Sequence, residues 1–589
     1  MIELNLEINR FNHKYLIFYI ILFISYILAI INLFYLQSSV PIGYVIDIYR
    51  QLPDVFWYLS IIIYFICCLS ILQKIQILRY AGNVLLLINF STILLVPYKL
   101  GYYNYGSADE LSHIGEISHI ILSSHVDKLN IYPLTHIIYA NSSLICQIPV
   151  NVTSLLFPVY FSIMFAVGMV IFTRSITPTY KELHYVIIPF CFIYYLGHFH
   201  LSNIPYYTFF AVLPIFLFVL IKYFQNRSTS LSIVITIFLI VFPFAHPFIF
   251  MFILYILILA KLEDFILNKK SNIQKLITIS LITYLAWATY NASIMVRFST
   301  LVGLIGNKLA RPIVFMGGLD TLRQSDMSLA EIFNLIFYYY VRYLIPVLFI
   351  SIFILFFIIN RKLFNKNNQV DISKSIKLFL IFVSFELFLF LNPIIVHNFD
   401  RISNLNLAIF GIIPLFAISF YHFILNHEMK PICFLVGAIL LSLIFASATY
   451  GVFFSPRIYH PNIGVPNNEV LGMSWLFTHK SQVPIKDLVG SIGPRYADLF
   501  FGWSESEKRV SEDLLRQQYA STPDHFGYDT SNHYLSKSSY IVLTTMAEEM
   551  YQTLFSRLDK YNGEDFYKFR NDFLIKKIYD SLNIAIYIS

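Results

Sequence analysis

The chain has 589 residues, 57% of them hydrophobic and 13% charged, with a net charge of +7 and a mean hydropathy of +0.66. A soluble domain carries about 25% charged residues, so the chain has half the charge a water-facing surface needs and lipid is the expected main solvent. The positive charge is no argument for nucleic acid, because the basic residues sort by position between apolar blocks, and no nucleic-acid partner is expected.

From the N-terminus, polar residues run to Lys14 and a full-length apolar block follows, Tyr15 to Tyr35. No small-residue cleavage site comes after it, so it reads as a retained first helix. A helix of about 20 apolar residues crosses a hydrocarbon core of about 30 Å. On that measure spans are expected near 15–35, 55–73, 80–98, 155–172, 185–197, 208–224, 231–245, 247–261, 276–292, 332–358, 378–392, 402–421 and 431–454. The stretch Phe244-Ala245-His246-Pro247 leaves no room for a loop, so two helices meet there in a tight turn. The tyrosines crowd towards block ends, where amphipathic rings sit at headgroup level. No repeats or low-complexity tracts are visible.

Lysine and arginine set an expected orientation. With the N-terminus cytoplasmic, the inner loops hold Arg10, Lys14, Lys74, Arg79, Arg174, Lys181, Lys222, Arg227, Lys261, Lys269, Lys270, Arg361, Lys362, Lys366, Lys374 and Lys377. The outer loops are longer in total and hold far fewer. An odd span count puts the C-terminal region outside the cell membrane. The polar outer segments are then 36–54, 99–154, 292–331 and the stretch Asn392 to Arg401.

From about Phe454 the composition becomes that of a soluble protein. Val465-Pro466-Asn467-Asn468-Glu469 marks a helix start, Tyr540 to Thr544 a buried strand, and Ile578 to Ile588 a terminal strand or hairpin. The expected organisation is a mainly α, polytopic membrane domain, residues 1–454, with about thirteen transmembrane helices. A small extracytoplasmic α/β domain, residues 455–589, follows it. None of the five cysteines (Cys67, Cys68, Cys146, Cys191 and Cys433) lies in that last part, which excludes a disulfide framework or Cys-x-x-Cys metal site there.

The most polar piece near the membrane is Gly101 to Glu116, directly after the third span. In a helix, Asp109, His113 and Glu116 fall at i, i+4 and i+7 and share a face. Two acids and an imidazole there serve as general base, metal site or both; solvated acids of an amphipathic loop are the plain alternative. Asp109 and Glu110 point in different directions, so one of them is the base. Asn130-Ile-Tyr132-Pro133-Leu-Thr-His136 opens an apolar segment too short to span, expected to lie along the interface. A second site is His397-Asn398-Phe399-Asp400-Arg401, at the outer mouth of a late helix. An arginine there holds a phosphate by paired hydrogen bonds, or it snorkels, or it pairs with Asp400. Secondary candidates are Asp47 in the first outer loop, His198 and His200 in a short outer turn, and His246 at the tight turn. Arg342 and Glu386 interrupt apolar helices and are expected to face a cavity or pair internally. Asn141, Asn151 and Asn291 begin glycosylation sequons on the outer side.

This pattern resembles the GT-C superfamily of polytopic glycosyltransferases that use lipid-phosphate-linked sugars. Three features carry it: the acidic motif Ala108-Asp109-Glu110 on an early outer loop, helices in that loop along the membrane, and Arg401 at the mouth of a late helix. Tyr105 to His113, Tyr132 to His136, Gly43 to Pro53 and Lys577 to Tyr587 are more narrowly similar to uncharacterised archaeal membrane proteins related to that superfamily. The superfamily carries its first acidic motif after the first span, where this chain has Asp47. Asp109 is preferred, since its loop is longer and holds the histidines.

The resemblance implies transfer of a sugar from a polyprenyl-phosphate donor, entering from the bilayer, to a glycan, lipid or protein acceptor on the outer face. Asp109 or Glu110 would take the acceptor proton, and Arg401 would hold the departing phosphate. His113 and His136 would orient the base or bind phosphate, with Tyr132 and Asp400 beside them. No cofactor is implied; a divalent ion, Mg or Mn, is compatible and not required. The rival classes are a transporter or flippase of lipid-linked glycans and a non-catalytic membrane scaffold.

Overall fold

The computed structural model describes residues 13–39, 43–73, 75–180, 183–195, 197–201, 204–226, 228–266, 273–291, 327–391, 407–425, 431–481, 483–486, 495–512, 538–558 and 561–589. Apolar blocks become helices because a lipid-facing backbone can satisfy its N–H and C=O groups only within the segment. These helices are α1 (His13–Ser38), α2 (Asp54–Ile71), α3 (Gln76–Leu94), then α4 (Asp109–Ser123) and α5 (Pro133–Cys146) in the polar loop. Next come α6 (Val150–Ile176), α7 (Leu183–Tyr195), α8 (Pro205–Asn226), α9 (Thr229–Ala245), α10 (Pro247–Ile266) and α11 (Ile273–Tyr290). The bundle closes with α12 (Leu329–Ile359), α13 (Lys366–Leu391), α14 (Ile409–Leu425) and α15 (Pro431–Tyr450).

The described parts of the expected spans fall on helices of this bundle. Seven of them, α1, α2, α3, α6, α8, α12 and α15, are long and apolar enough to cross a membrane by length and composition. The apolar parts of α7, α9 and α14 are shorter. Helix α1 shows which solvent the bundle is made for. Its exposed face is Ile17, Ile20, Phe23, Ile24, Ile27, Ile30 and Phe34, while Ser25, Ala29 and Asn32 are buried. In water such a face would forgo about 1.5–3 kcal/mol per large side chain; in lipid it costs nothing. The inward polar groups act as staples between helices. Asn32 Nδ2 donates to Ser60 Oγ at 2.8 Å and Asn89 Nδ2 to Ser60 O at 2.9 Å, joining α1, α2 and α3.

The C-terminal region contains α16 (Asn467–His479), α17 (Arg495–Phe501) and α18 (Trp503–Glu512). Its sheet runs β3-β4-β6-β5, from Ile485–Lys486 (β3), Tyr540–Thr544 (β4), Lys576–Asp580 (β5) and Ile584–Ile588 (β6). β3 and β4 are parallel, and the other pairs are antiparallel. Every residue of β4 is buried because both faces are covered. Tyr540 and Val542 pack in one cluster, and Ile541 and Leu543 in another. The first of these clusters also takes in Leu111 and Ile114 of α4.

Three further contacts fasten this region to the loops between helices. β1 (Tyr102–Tyr105) pairs antiparallel with β2 (Gly464–Pro466). In the first loop, Tyr44 N–H donates to Asn583 Oδ1 at 2.9 Å, and Asn462 N–H to Ile46 O at 3.1 Å. The loops after α1 and α3 and the C-terminal region therefore lie on one end of the bundle.

Candidate functional site

Helix α4 starts at the acidic pair and is pinned on one side by α17. A Cβ on Gly115 would sit 2.0 Å from Asp498 O, so only glycine permits this approach of the two backbones. Ser112 Oγ donates to Asp498 Oδ2 at 2.7 Å, and Arg495 reaches Asp498 at 3.2 Å and Asp109 at 2.5 Å. Asp109 thus turns outwards, its side chain half exposed, into an ion pair.

Glu110 turns inwards and is buried. Its Oε2 accepts the Ala108 N–H at 3.1 Å. Gly106, at φ +129°, makes room for it, since a Cβ there would lie 2.4 Å from Glu110 Cδ. Burial pushes the Glu110 carboxyl up to about 7, with the Asp109 charge adding to the shift and the backbone N–H groups opposing it. One turn on, His113 is buried, and burial together with the Arg495 guanidinium holds it down to about 3. Glu116 is buried and accepts Trp503 N–H at 2.6 Å; burial pushes it up to about 7. The Asn130 amide lies beside it.

Tyr132 precedes α5, and its N–H donates to Asn130 Oδ1 at 3.0 Å. His136, in the first turn of α5, places Nδ1 2.9 Å from Asn130 Oδ1 and Nε2 2.9 Å from His113 Nδ1. Burial, and then the neighbouring His113, keep His136 well below the usual imidazole range. His246 caps α9, and its ring stacks on Tyr132 with centroids 5.3 Å apart and planes 5° apart. Tyr206, in the first turn of α8, meets His246 edge-on at 5.2 Å and Tyr207 at 5.0 Å. Tyr207 is within electrostatic reach of Glu110, and Tyr132 meets His113 edge-on at 5.8 Å. His113, Tyr132, His246, Tyr206 and Tyr207 therefore form a circuit of rings at the end of the bundle that carries the loops, with Glu110 one turn before His113 on α4 and within electrostatic reach of Tyr207.

Arg342 borders this circuit. It is buried, its guanidinium 5.4 Å from the Tyr339 ring and 5.0 Å from the Tyr343 ring, and it acts on His200. His200 stacks on Tyr195 and meets Tyr207 edge-on at 5.2 Å. Glu386 Oε1 accepts the Leu407 N–H at 2.5 Å and lies within reach of Tyr206.

Of the residues expected from sequence, Glu110, His113, Glu116, Tyr132, His136 and His246 come together here, with His200 one ring away. Asp109 shares the helix but faces Arg495. Asp47 caps a short turn, accepting Tyr49 N–H at 3.2 Å, with Arg50 at 3.6 Å. Burial raises its pKa against the pull of Arg457, and none of these partners belongs to the circuit. Asp400 and Arg401, most of the 292–331 loop, and the side chain of His198 lie outside the described residues. Asn291 is buried and donates from Nδ2 to Asn130 O at 3.2 Å, so in the folded chain its side-chain amide is engaged inside the protein. Asn130 was read in sequence only as the start of its segment, and Tyr206, Tyr207, Arg495 and Trp503 went unread. Only Arg495-x-x-Asp498, an opposite-charge pair at helical spacing, carried a signal.

Among the described residues, no group of three or more His, Cys, Asp or Glu side chains is placed to hold a metal ion. Chemically, the circuit and Glu110 beside it offer one carboxyl poised near neutrality, neutral imidazoles and aromatic faces. No protein-family model matches the chain, and no curated protein matches it either.

Proposed function

We propose that this chain is a membrane glycosyltransferase of the GT-C type, moving a sugar from a polyprenyl-phosphate donor to an acceptor at the outer face of the membrane. The observation that supports it most is Glu110, a buried carboxyl raised to about 7 beside a ring of tyrosines and imidazoles. A general base works best with a pKa near the working pH, and tyrosine faces suit the apolar faces of a sugar ring. Of the two acids, Glu110 is the better base, because the Asp109 carboxylate is engaged by Arg495. Phosphate departure builds negative charge in a poorly hydrated site. Arg401 is proposed to hold it, and Arg342, beside the circuit, is a second cation for the task. In this reading the N-terminus is cytoplasmic, and the loops and C-terminal region face outwards.

The test is sugar release from radiolabelled polyprenyl-phosphate donors by the full chain in lipid vesicles. Glu110→Gln should lower turnover about 10²–10⁴-fold, the usual contribution of a general base. Undiminished transfer in that variant sinks the assignment of the base. Arg401→Ala should raise the donor concentration needed.

A transporter of lipid-linked glycans is the second reading, favoured by Arg342 and Glu386 on helices of the bundle. Movement of a fluorescent lipid-linked sugar across vesicles without sugar release would select it.

A further inference from the structure

With both imidazoles neutral, three hydrogen bonds beside Glu110 admit one arrangement of protons. The Tyr132 backbone amide can only donate, so the Asn130 atom it meets at 3.0 Å is the oxygen. That same oxygen lies 2.9 Å from His136 Nδ1, which must therefore carry the proton of a neutral ring. His136 Nε2 is then a bare lone pair. His113 Nδ1, 2.9 Å away, has to donate into it. His113 is fixed as the Nδ1–H tautomer, which leaves its Nε2 as an acceptor, and the hydrogen bond found for the ring among the described residues runs through Nδ1. The ring is 3% exposed, with Tyr132 and Trp503 edge-on around it.

We propose that Asn130 and His136 lock His113 in this tautomer so that its Nε2 accepts a hydrogen bond from a hydroxyl of the ligand. The tautomer stands on the hydrogen-bond geometry and on the burial that keeps both rings neutral; calling the ligand an acceptor sugar rests on the transferase reading. Nε2 as a fixed lone pair selects groups with a proton to give. A hydroxyl has one, and a phosphate dianion has none, so the histidine pair is a hydroxyl site and the phosphate belongs elsewhere. The charged and titratable groups around His113 are Arg495 from α17, His246, His136 and, on its own helix, Glu110 and Glu116. Burial and the Arg495 charge keep it neutral.

Nitrogen-15 and carbon-13 spectra of the histidine-labelled full chain in nanodiscs read the tautomer directly, with His113 assigned by its loss in His113→Gln. The expected result is a neutral Nδ1–H ring from about pH 5 to 8, converting to mixed tautomers in Asn130→Leu. A protonated Nε2 in the unmodified chain, or titration near an ordinary imidazole value, overturns the lock. Octyl mannoside, the probe for the hydroxyl site, should shift the Nε2 signal; an unmoved signal at saturation overturns that half. In the transfer assay, His113→Leu should raise the acceptor KM about tenfold, the worth of one hydrogen bond. His113→Gln, which keeps an acceptor near Nε2, should recover part of that loss, and equal loss in both variants also counts against the site. A chain that transfers no sugar, yet shows the tautomer and the octyl mannoside shift, removes the transferase reading and leaves this one standing.

Discussion

Asp109 and Glu110 are adjacent and of one chemical type, yet their surroundings oppose each other. The first is half exposed against Arg495, and the second is buried over Gly106. If Glu110 is the base, kcat/KM should climb about tenfold per pH unit below about 7 and level off above it, since only the carboxylate can take a proton. Asp109→Asn should keep that profile at a reduced level, whereas Glu110→Gln should abolish it. Stability should run the other way. Glu116, like Glu110, has its folded pKa raised, so folding is favoured most below the ordinary carboxyl value and loses ground as pH rises through about 7. Melting temperature should fall over that interval, and Glu116→Gln should flatten the fall. The sequence showed the acidic pair and the histidines. It did not show which acid would be buried, because that depends on Gly106 folding back and on Arg495, far along the chain.

At the level of elements, α4 is held between two partners, the bundle with its circuit of rings and α17 with its backbone against Gly115. Gly115→Ala inserts a methyl 2.0 Å from Asp498 O, and overpacking of this kind costs about 1–3 kcal/mol. The expected outcome is a lower melting temperature and a weaker transfer rate, because α4 carries Glu110 and His113. The bundle helices were legible as runs of apolar residues, and β4 as a short apolar run rich in β-branched side chains. α17 was not, since its seven residues are too few for a hydrophobic period to register. Nor could Leu111 and Ile114 be assigned to the C-terminal core, as burial against a distant segment leaves no local mark.

Across the whole molecule, the loops after α1 and α3 meet the C-terminal region at one end of the bundle. Exposed Cys146, at the end of α5, and a cysteine placed at exposed Leu574 should react with a membrane-impermeant maleimide from the same side of intact cells. Labelling from opposite sides breaks this arrangement, whichever side faces out. Charge asymmetry fixed an expected orientation, but it is the pairing of β1 with β2 and the bonds joining Tyr44 to Asn583 and Ile46 to Asn462 that show these segments share an end. That pairing also sets a timetable for synthesis. Asn104 reaches the ribosome exit long before its partner Val465. At about 5–20 residues per second, the wait is on the order of 20–70 seconds. Throughout it Glu110 and His113 sit on a nascent helix with its covering partner still untranslated, so the site is assembled late, and a stalled or shortened transcript yields a bundle inserted in the bilayer but unfinished at its mouth.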